Sequence, residues 1–149
     1  MNNKGRLRFI IDASVILKWF SKDREKDLEK ALQIREDFRD RKIDLFAPEL
    51  LIYEIVNVLR YKESLKDDLI LKAIDSIFAM DILIPVSIQI MKDALKLARK
   101  HNITVYDSTY ISFAQHTGCY FITADNKFFR KLKYMPGIMF ISGYDLSRP

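Results

Sequence analysis

Four acidic residues stand out in this chain by their placement rather than by their number. Asp12 and Asp125 each follow a short run of large apolar residues of the kind that forms a buried β-strand. Glu54 interrupts an almost wholly apolar helical stretch, and Asp107 begins another helical segment. A carboxylate in apolar surroundings is costly unless it is paired or binds a cation. The positions of these four acids therefore point to a shared site.

A divalent cation is the partner that would best suit such a group. Carboxylates gathered in one place repel one another, and no Lys or Arg is interleaved at the corresponding positions. Oxygen-only ligands suit Mg²⁺ or Mn²⁺. Zinc fits poorly because His101, His116 and Cys119 are scattered, and we expect the histidines at helix ends and the cysteine in the core.

Each acid also has a purely structural alternative. Asp12 is well placed to cap a helix over 15–20, and Asp107 to cap the helix that it begins. Asp125 is a plausible turn residue, and Glu54 would be satisfied by a buried arginine. The sequence alone leaves these alternatives open.

The elements that must position the acids are strands separated by helical segments. Residues 8–11 and 119–123 predict strands buried on both faces, as in the middle of a parallel sheet, whose carboxyl edge holds the ligand crevice. No hairpin dipeptide occurs, so we predict an α/β fold with a parallel central sheet and helices on both faces. Further strands are predicted over 43–47, 82–86 (an edge strand or a strand end, because of Pro85) and 138–141. Pro48 suits the first position of a helix, and the helix over 49–61 that follows is expected to be buried nearly all round. Other helices are predicted over 21–41, 64–79, 87–102 and 107–117, with a short helix after Asp125.

Length and composition bound the class of protein. The 149 residues are expected to form one domain over 1–149. Net charge is +5 and the pI about 9.3, compatible with a nucleic-acid partner, with a local basic excess at Arg130, Lys131 and Lys133 that is otherwise a solvated surface. No apolar run is long enough for a membrane span, and no signal peptide is recognisable. With its single cysteine, we expect the protein in the cytoplasm.

Each of the four acids lies in a short motif. In chain order these are Ile-Ile-Asp12-Ala-Ser14, Glu54-Ile-Val-Asn57, Asp107-Ser-Thr-Tyr110 and Thr123-Ala-Asp125-Asn. Taken in this order, they resemble the motifs of the PIN-domain ribonucleases, and among them the VapC-type toxins of prokaryotic toxin–antitoxin pairs. No acidic position departs from the family pattern, and the resemblance spans essentially the whole chain.

The resemblance implies a PIN-like three-layer fold and a metal-dependent endoribonuclease. Asp12, Glu54, Asp107 and Asp125 would then be catalytic and hold one or two Mg²⁺ or Mn²⁺ ions. It also implies an RNA substrate, a homodimer, and an antitoxin that occludes the acidic pocket, for which Trp19, Phe20 and the helix after Glu49 offer apolar surface. Residues expected to orient the ligands or touch phosphate are Ser14, Asn57 and Thr123, and those expected on the RNA backbone are Arg130, Lys131 and Lys133.

Rival interpretations differ in class. A PIN-fold nuclease of RNA processing would share every motif. A non-catalytic α/β interaction module would use the acids only as caps. A nucleotide-binding domain is disfavoured because no glycine-rich loop follows a strand. An aspartyl phosphotransferase is disfavoured because Asp12 lacks a second aspartate two residues on.

Overall fold

The computed structural model describes residues 5–20 and 25–147, so the first four residues of the helix predicted over 21–41 lie outside the described residues. Successive strands are separated by one or two helices, as the sequence predicts. In chain order the elements are β1 (Leu7–Ile11), α1 (Ala13–Lys18), α2 (Leu28–Arg39), β2 (Ile43–Pro48), α3 (Leu50–Leu59), α4 (Asp67–Ala79), β3 (Leu83–Ile84), α5 (Ile88–His101), α6 (Val105–Thr117), β4 (Tyr120–Thr123), α7 (Asn126–Leu132) and β5 (Ile138–Phe140), followed by a 3-10 turn at Ile141–Gly143.

The five strands form one sheet in the order β3-β2-β1-β4-β5, and every neighbouring pair is parallel. The predicted α/β class is therefore confirmed, and β3 lies at an edge as Pro85 indicated. The chain moves outward from β1 in one direction through β2 and β3, then in the other through β4 and β5. With right-handed crossovers, the helices on these two paths cover opposite faces of the sheet. The order reverses between β1 and β4, and ligands of α/β sheets bind at such a point.

The central strands are buried on both faces. In β1 the side chains of Ile10 and Ile11 are fully buried, and in β4 those of Phe121 and Ile122 are as well. Ile10 lies opposite Phe121, and Ile11 opposite Ile122. This apolar layer fixes the register of β1 against β4, and hence the relative positions of whatever follows each strand.

Several helix starts differ from the sequence prediction. Helix α2 begins only at Leu28, within the stretch predicted over 21–41, and α4 begins at Asp67, three residues later than predicted. Pro48 is the last residue of β2, paired with Ile84, rather than the first residue of a helix. A strand end tolerates proline, whose missing N–H is not needed there. Helix α6 begins two residues earlier than predicted, because the Thr104 hydroxyl accepts a hydrogen bond from the Asp107 N–H at 3.0 Å and caps the helix.

Helix α3 is not buried all round, contrary to the sequence prediction. One side, formed by Leu51, Ile55 and Leu59, is fully buried. On the other side Tyr53 is 76% exposed and Val58 is also exposed. An apolar composition predicts burial only if neighbours cover every face, and here part of the helix surface remains open.

No helix within residues 5–20 and 25–147 is long and apolar enough to cross a membrane.

Candidate functional site

Asp12 and Asp125 lie at the carboxyl edge of the sheet, on either side of the point where the strand order reverses. Asp12 directly follows β1, and Asp125 comes two residues after β4. The two strands are adjacent and parallel, so both acids leave the sheet on the same edge. The predicted meeting of these two residues is a consequence of strand order.

The Asp12 carboxylate is buried and held by two hydroxyl groups. Its side chain is 8% exposed and makes no capping hydrogen bond to α1, so the helix-cap alternative is wrong. Instead, Oδ2 accepts hydrogen bonds from Ser14 Oγ and from Thr123 Oγ1, each at 2.7 Å. Burial raises the pKa of Asp12 to about 6, although both hydroxyls act in the opposite direction.

The same two hydroxyls hold the turn that carries Asp125. Ser14 Oγ accepts the Ala124 N–H at 2.9 Å, and Thr123 Oγ1 accepts the Asp125 N–H at 3.0 Å. Each hydroxyl thus accepts a hydrogen bond from a backbone N–H and donates one to the Asp12 carboxylate. The turn after β4 is thereby tied to the end of β1.

Asp125 is both a cap and an available ligand. Its Oδ1 accepts the Phe128 N–H at 3.0 Å and so caps α7, a structural role different from the turn residue considered from the sequence. Within the described residues Oδ2 makes no hydrogen bond, and the side chain is exposed. One oxygen therefore positions the residue and leaves the other for chemistry.

Glu54 lies half-buried on α3 with a tyrosine as its partner. The Tyr110 hydroxyl, buried on α6, donates to Glu54 Oε2 at 3.4 Å. No Lys or Arg of the described ranges forms an ion pair with Glu54, which removes the salt-bridge alternative. Burial raises the pKa of Glu54 to about 8, and the charges of Asp12 and Asp107 add to this effect.

The charges of the four acids raise one another's pKa values, as expected of side chains that share one neighbourhood. The pKa of Asp107 is raised by burial first and then by the charge of Asp125, and it is lowered by the Thr104 hydroxyl and Lys131. The charges of Asp107 and Asp125 also raise the pKa of Asp12. Since the Thr104 side chain caps α6, the Asp107 carboxylate does not serve as the helix cap.

The chain matches a known protein family over most of its length. The model of the PIN domain matches residues 9–133, which include all four acids and most of the sheet. This chain belongs to the PIN-domain family. The predicted family resemblance is confirmed.

Known relatives agree with the assignment to the PIN domain. The chain is 26% identical over 132 residues to ribonuclease VapC3 of Pyrobaculum aerophilum, covering 84% of this chain and 95% of the relative. The crystal structure of PAE2754 from the same organism is 18% identical, with a TM-score of 0.66 over 93% of this chain and 88% of that one. DNA-bound VapBC from Salmonella typhimurium is 19% identical, with a TM-score of 0.64 over 91% and 98%.

The donor set of this PIN domain fits a hard divalent cation. The four side chains offer only carboxylate oxygens, and no ammonium or guanidinium group forms an ion pair with them in the described ranges. Within residues 5–20 and 25–147, no three His, Cys, Asp or Glu side chains lie close enough to hold a metal ion as they stand. Binding by three or more of them therefore requires movement of at least one carboxylate.

The other predicted residues of the PIN domain divide into those beside the acids and those apart from them. Ser14 and Thr123 contact Asp12 directly, as an orienting role requires. Asn57 is exposed one turn after Glu54 and makes no side-chain hydrogen bond in the part of the chain described. Its role stays a prediction.

The three predicted basic residues also differ in place. Lys131 lines a cavity beside Asp107 and Asp125, whereas Arg130 and Lys133 do not line it. The Lys133 ammonium lies 5.0 Å from the ring centre of Tyr134. Their contact with RNA remains a prediction.

The soft donors of the PIN domain have other neighbours. His116 Nε2 lies 2.9 Å from Asp93 Oδ2, a contact that links α6 to α5. Cys119 is buried in the core, as expected, and His101 is the last residue of α5.

Three contributing residues were missed by sequence reasoning, and each had a signal. Thr104 stands three residues before Asp107, the spacing of a helix cap and the N–H that it binds. Tyr110 follows Asp107 by three residues and so lies on a neighbouring part of the same helix face. Lys127, which lines the cavity, precedes Lys131 by four residues on α7.

Proposed function

We propose that this PIN-domain protein is a metal-dependent endoribonuclease that hydrolyses RNA phosphodiester bonds, and that it is the toxin of a type II toxin–antitoxin system. The observation that carries the proposal is the buried Asp12 carboxylate, held at the sheet switch point with three further acids around it and no cationic side chain paired to it within the described residues. The relative at 26% identity carries the name ribonuclease VapC3, which supports the nuclease activity.

Asp12, Glu54, Asp107 and Asp125 are the residues that would hold one or two Mg²⁺ or Mn²⁺ ions. When bound, such an ion acidifies a water molecule and polarises the phosphoryl group. Side chains that orient metal ligands matter nearly as much as the ligands themselves. In this role Ser14 and Thr123 fix the orientation of Asp12 and favour its charged form.

Glu54 binds a proton in the neutral pH range. With a pKa of about 8, its carboxyl group is mostly protonated at neutral pH before any cation binds. It must lose that proton to become a ligand, and the Tyr110 hydroxyl then donates to the carboxylate. Glu54 therefore couples metal binding to pH in the neutral range.

The proposed contacts to RNA follow from where polar groups lie around the acids. Arg130, Lys131 and Lys133 are proposed to bind the phosphate backbone. Asn57, exposed near Glu54, is proposed to contact a phosphate or a metal-bound water.

The decisive experiment is an RNA cleavage assay with mapped ends, run with Mn²⁺, with Mg²⁺ and with EDTA. Cleavage is expected with either ion and lost with EDTA. Asp12→Asn and Asp125→Asn should abolish cleavage and retain the circular dichroism spectrum of the wild type. Asp75→Asn, which alters an exposed acid of α4, is the matched control and should cleave normally. Undiminished cleavage by both site variants would contradict the assignment of the site.

The toxin role has its own test. Expression of the wild type should arrest growth of the host cell, and Asp12→Asn should not. Co-expression of a small DNA-binding protein encoded beside this gene should restore growth. Normal growth with active, expressed enzyme would contradict the toxin role, and would favour an RNA-processing nuclease.

We also propose that the antitoxin covers the apolar surface around Trp19 and Phe20. Both side chains line two adjoining cavities of 770 and 320 Å³, and α4 contributes Ser76 to both. Trp19 is the only tryptophan of the chain, so its fluorescence reports on this surface alone. Binding of the antitoxin should change the emission of Trp19, and an unchanged spectrum on complex formation would place the partner elsewhere.

The proposed homodimer has a candidate surface on α5. Ile88, Met91 and Leu95 are exposed and recur at helical spacing, so they form one apolar stripe. Met91→Glu is expected to convert a dimer into a monomer in light scattering after gel filtration, whereas Lys92→Glu, on the same helix, is not. An unchanged mass for Met91→Glu would exclude this surface.

A further inference from the structure

A cavity of 440 Å³ opens directly beside two of the four acids. Asp107 and Asp125 line one part of it, and the turn over 102–104 lines another. The remaining wall comes from α7, which contributes Lys127 and Lys131 around the buried Phe128. Acidic and basic side chains thus face the same space without being paired.

Lys131 is fixed at this position by the backbone. Its Nζ donates to the Asn102 carbonyl at 3.3 Å, and Asn102 ends α5 in the left-handed conformation with φ of 51°. The ammonium group is close enough to Asp107 to lower the pKa of that acid, yet it forms no ion pair in the part of the chain described. An ammonium group has three N–H donors, so two are left for another ligand.

Lys127 adds a second positive charge on the same side. It precedes Lys131 by four residues, which places both on one face of α7. Its ammonium group also forms no ion pair within residues 5–20 and 25–147. By contrast, Lys18, Lys42 and Lys96 each pair with a carboxylate. The cavity is therefore lined by two ammonium groups that have no ion-pair partner among the described residues.

We propose that Lys127 and Lys131 form a phosphate subsite that holds the phosphodiester next to the one being cleaved. The inference rests on the proposed function, since it takes the acids as the place of cleavage. Ammonium groups repel a metal ion and attract a phosphate, whereas carboxylates do the reverse. The division of this cavity between the two kinds of group therefore separates the reacting phosphate from its neighbour.

The test compares two double variants with equal loss of charge. Lys127→Ala/Lys131→Ala removes the subsite, and Lys92→Ala/Lys96→Ala removes two lysines at the same four-residue spacing on α5. For a short single-stranded RNA, the subsite variant should raise KM about tenfold and leave kcat within about twofold. The control variant should match the wild type. Equal KM for the two double variants, or a loss confined to kcat, would overturn the subsite.

A binding measurement separates this inference from the proposed activity. Fluorescence anisotropy of a labelled single-stranded RNA in EDTA needs no cleavage. The subsite variant should bind about tenfold more weakly than the wild type, and its affinity should depend less on salt by a slope of about 0.7 for each lost phosphate contact. RNA binding that is equal in wild type and subsite variant refutes the subsite whatever the enzyme cleaves. Absence of cleavage with this binding difference intact refutes only the proposed activity.

Discussion

Thr123, at the end of β4, donates its hydroxyl to the carboxylate of Asp12, at the end of β1, over 2.7 Å. The two residues are 111 positions apart in the chain. Ser14 reaches the same carboxylate oxygen, and the two hydroxyls accept the N–H groups of Ala124 and Asp125. The turn that carries Asp125 is thus connected to the Asp12 carboxylate through the hydroxyls of Ser14 and Thr123.

Removal of either hydroxyl should weaken both the fold and the site. Thr123→Val or Ser14→Ala leaves a backbone N–H of the turn without its partner, and leaves Asp12 Oδ2 with one hydroxyl donor instead of two. Leaving such buried groups unsatisfied costs about 1–3 kcal/mol, so urea denaturation should show a loss of that order. RNA cleavage should fall as well, because Asp12 and the turn carrying Asp125 are no longer held together.

Thr117→Val is the matched control for this prediction. Within the described residues the Thr117 hydroxyl donates only to carbonyls of its own helix, to that of Phe113 at 2.7 Å and to that of Ala114 at 3.5 Å. Such bonds contribute little to stability, so this variant should unfold close to the wild type. Because Ser14 and Thr123 share Asp12 Oδ2, the destabilisation of the double variant should differ from the sum of the two single changes by more than about 0.5 kcal/mol. Strict additivity would argue against one shared network.

Glu54 should make the metal-free protein less stable as the pH rises. Its pKa is about 8 in the folded protein and has a reference value of 4.5, so the folded state holds the proton more tightly. The stabilisation that this proton gives is fully present below about pH 4.5 and is lost as the pH rises through about 8. In EDTA, the melting temperature of the wild type should therefore fall across this range.

Glu54→Gln should flatten that profile and stabilise the metal-free protein above pH 8 by about 1–3 kcal/mol. Glutamine retains a group that accepts the Tyr110 hydrogen bond but carries no charge. Glu63→Gln, at an exposed site, should leave the wild-type profile unchanged. A steep profile that persists in Glu54→Gln would show that another group is responsible.

Metal binding should release protons in the neutral range. Asp12, with a pKa of about 6, and Glu54, with a pKa of about 8, must both be ionised to act as ligands. The affinity for Mn²⁺ should therefore increase from pH 6 to pH 8. Titration calorimetry at pH 7 in buffers of different ionisation enthalpy should detect about one proton released per bound ion. Release that is equal in wild type and Glu54→Gln would exclude Glu54 as its source.

Arg41 occupies a position at which glycine is the favoured residue. It follows α2 in the left-handed conformation, with φ of 58°, where a side chain is strained. The Arg41 N–H donates to the Phe38 carbonyl and the Lys42 N–H to the Asp37 carbonyl, the pattern of a Schellman motif. Arg41→Gly should therefore stabilise the protein by about 1 kcal/mol in urea denaturation.

Arg41→Ala separates the backbone effect from the loss of the side chain. Alanine removes the guanidinium but keeps the Cβ atom that causes the strain. It should therefore give no stabilisation. Equal stability of the glycine and alanine variants would show that the left-handed backbone at Arg41 carries no penalty.

The central strands and the acids that follow them were accessible from sequence because they depend on local composition. A run such as Phe9-Ile10-Ile11 fits few positions in a fold other than a buried strand. The residue that follows such a strand lies at the carboxyl edge of the sheet. The meeting of Asp12 with Asp125 then needed only the parallel order of β1 and β4.

Features that depend on which elements pack against each other could not be predicted from the sequence. The open side of α3 reflects which elements fail to cover Tyr53, a fact that no local pattern contains. The sequence marked a basic cluster at Arg130, Lys131 and Lys133, but the face of α7 beside the acids selects Lys131 and adds Lys127. Helix boundaries at Pro48 and Thr104 depended on which residue satisfies a terminal N–H, a competition that tertiary packing decides.

The link between Asp12 and the turn after β4 has a consequence for how the protein is made. Synthesis proceeds from the amino terminus, so β1 and Asp12 leave the ribosome long before Thr123 and Asp125 do. Until β4 pairs with β1, Asp12 lacks the hydroxyl of Thr123. Before residue 125 is synthesised, the proposed site also lacks its fourth carboxylate. With the proposed activity, a nascent chain that has not reached Asp125 cannot cleave the RNA around it, because the site does not form in a partial product.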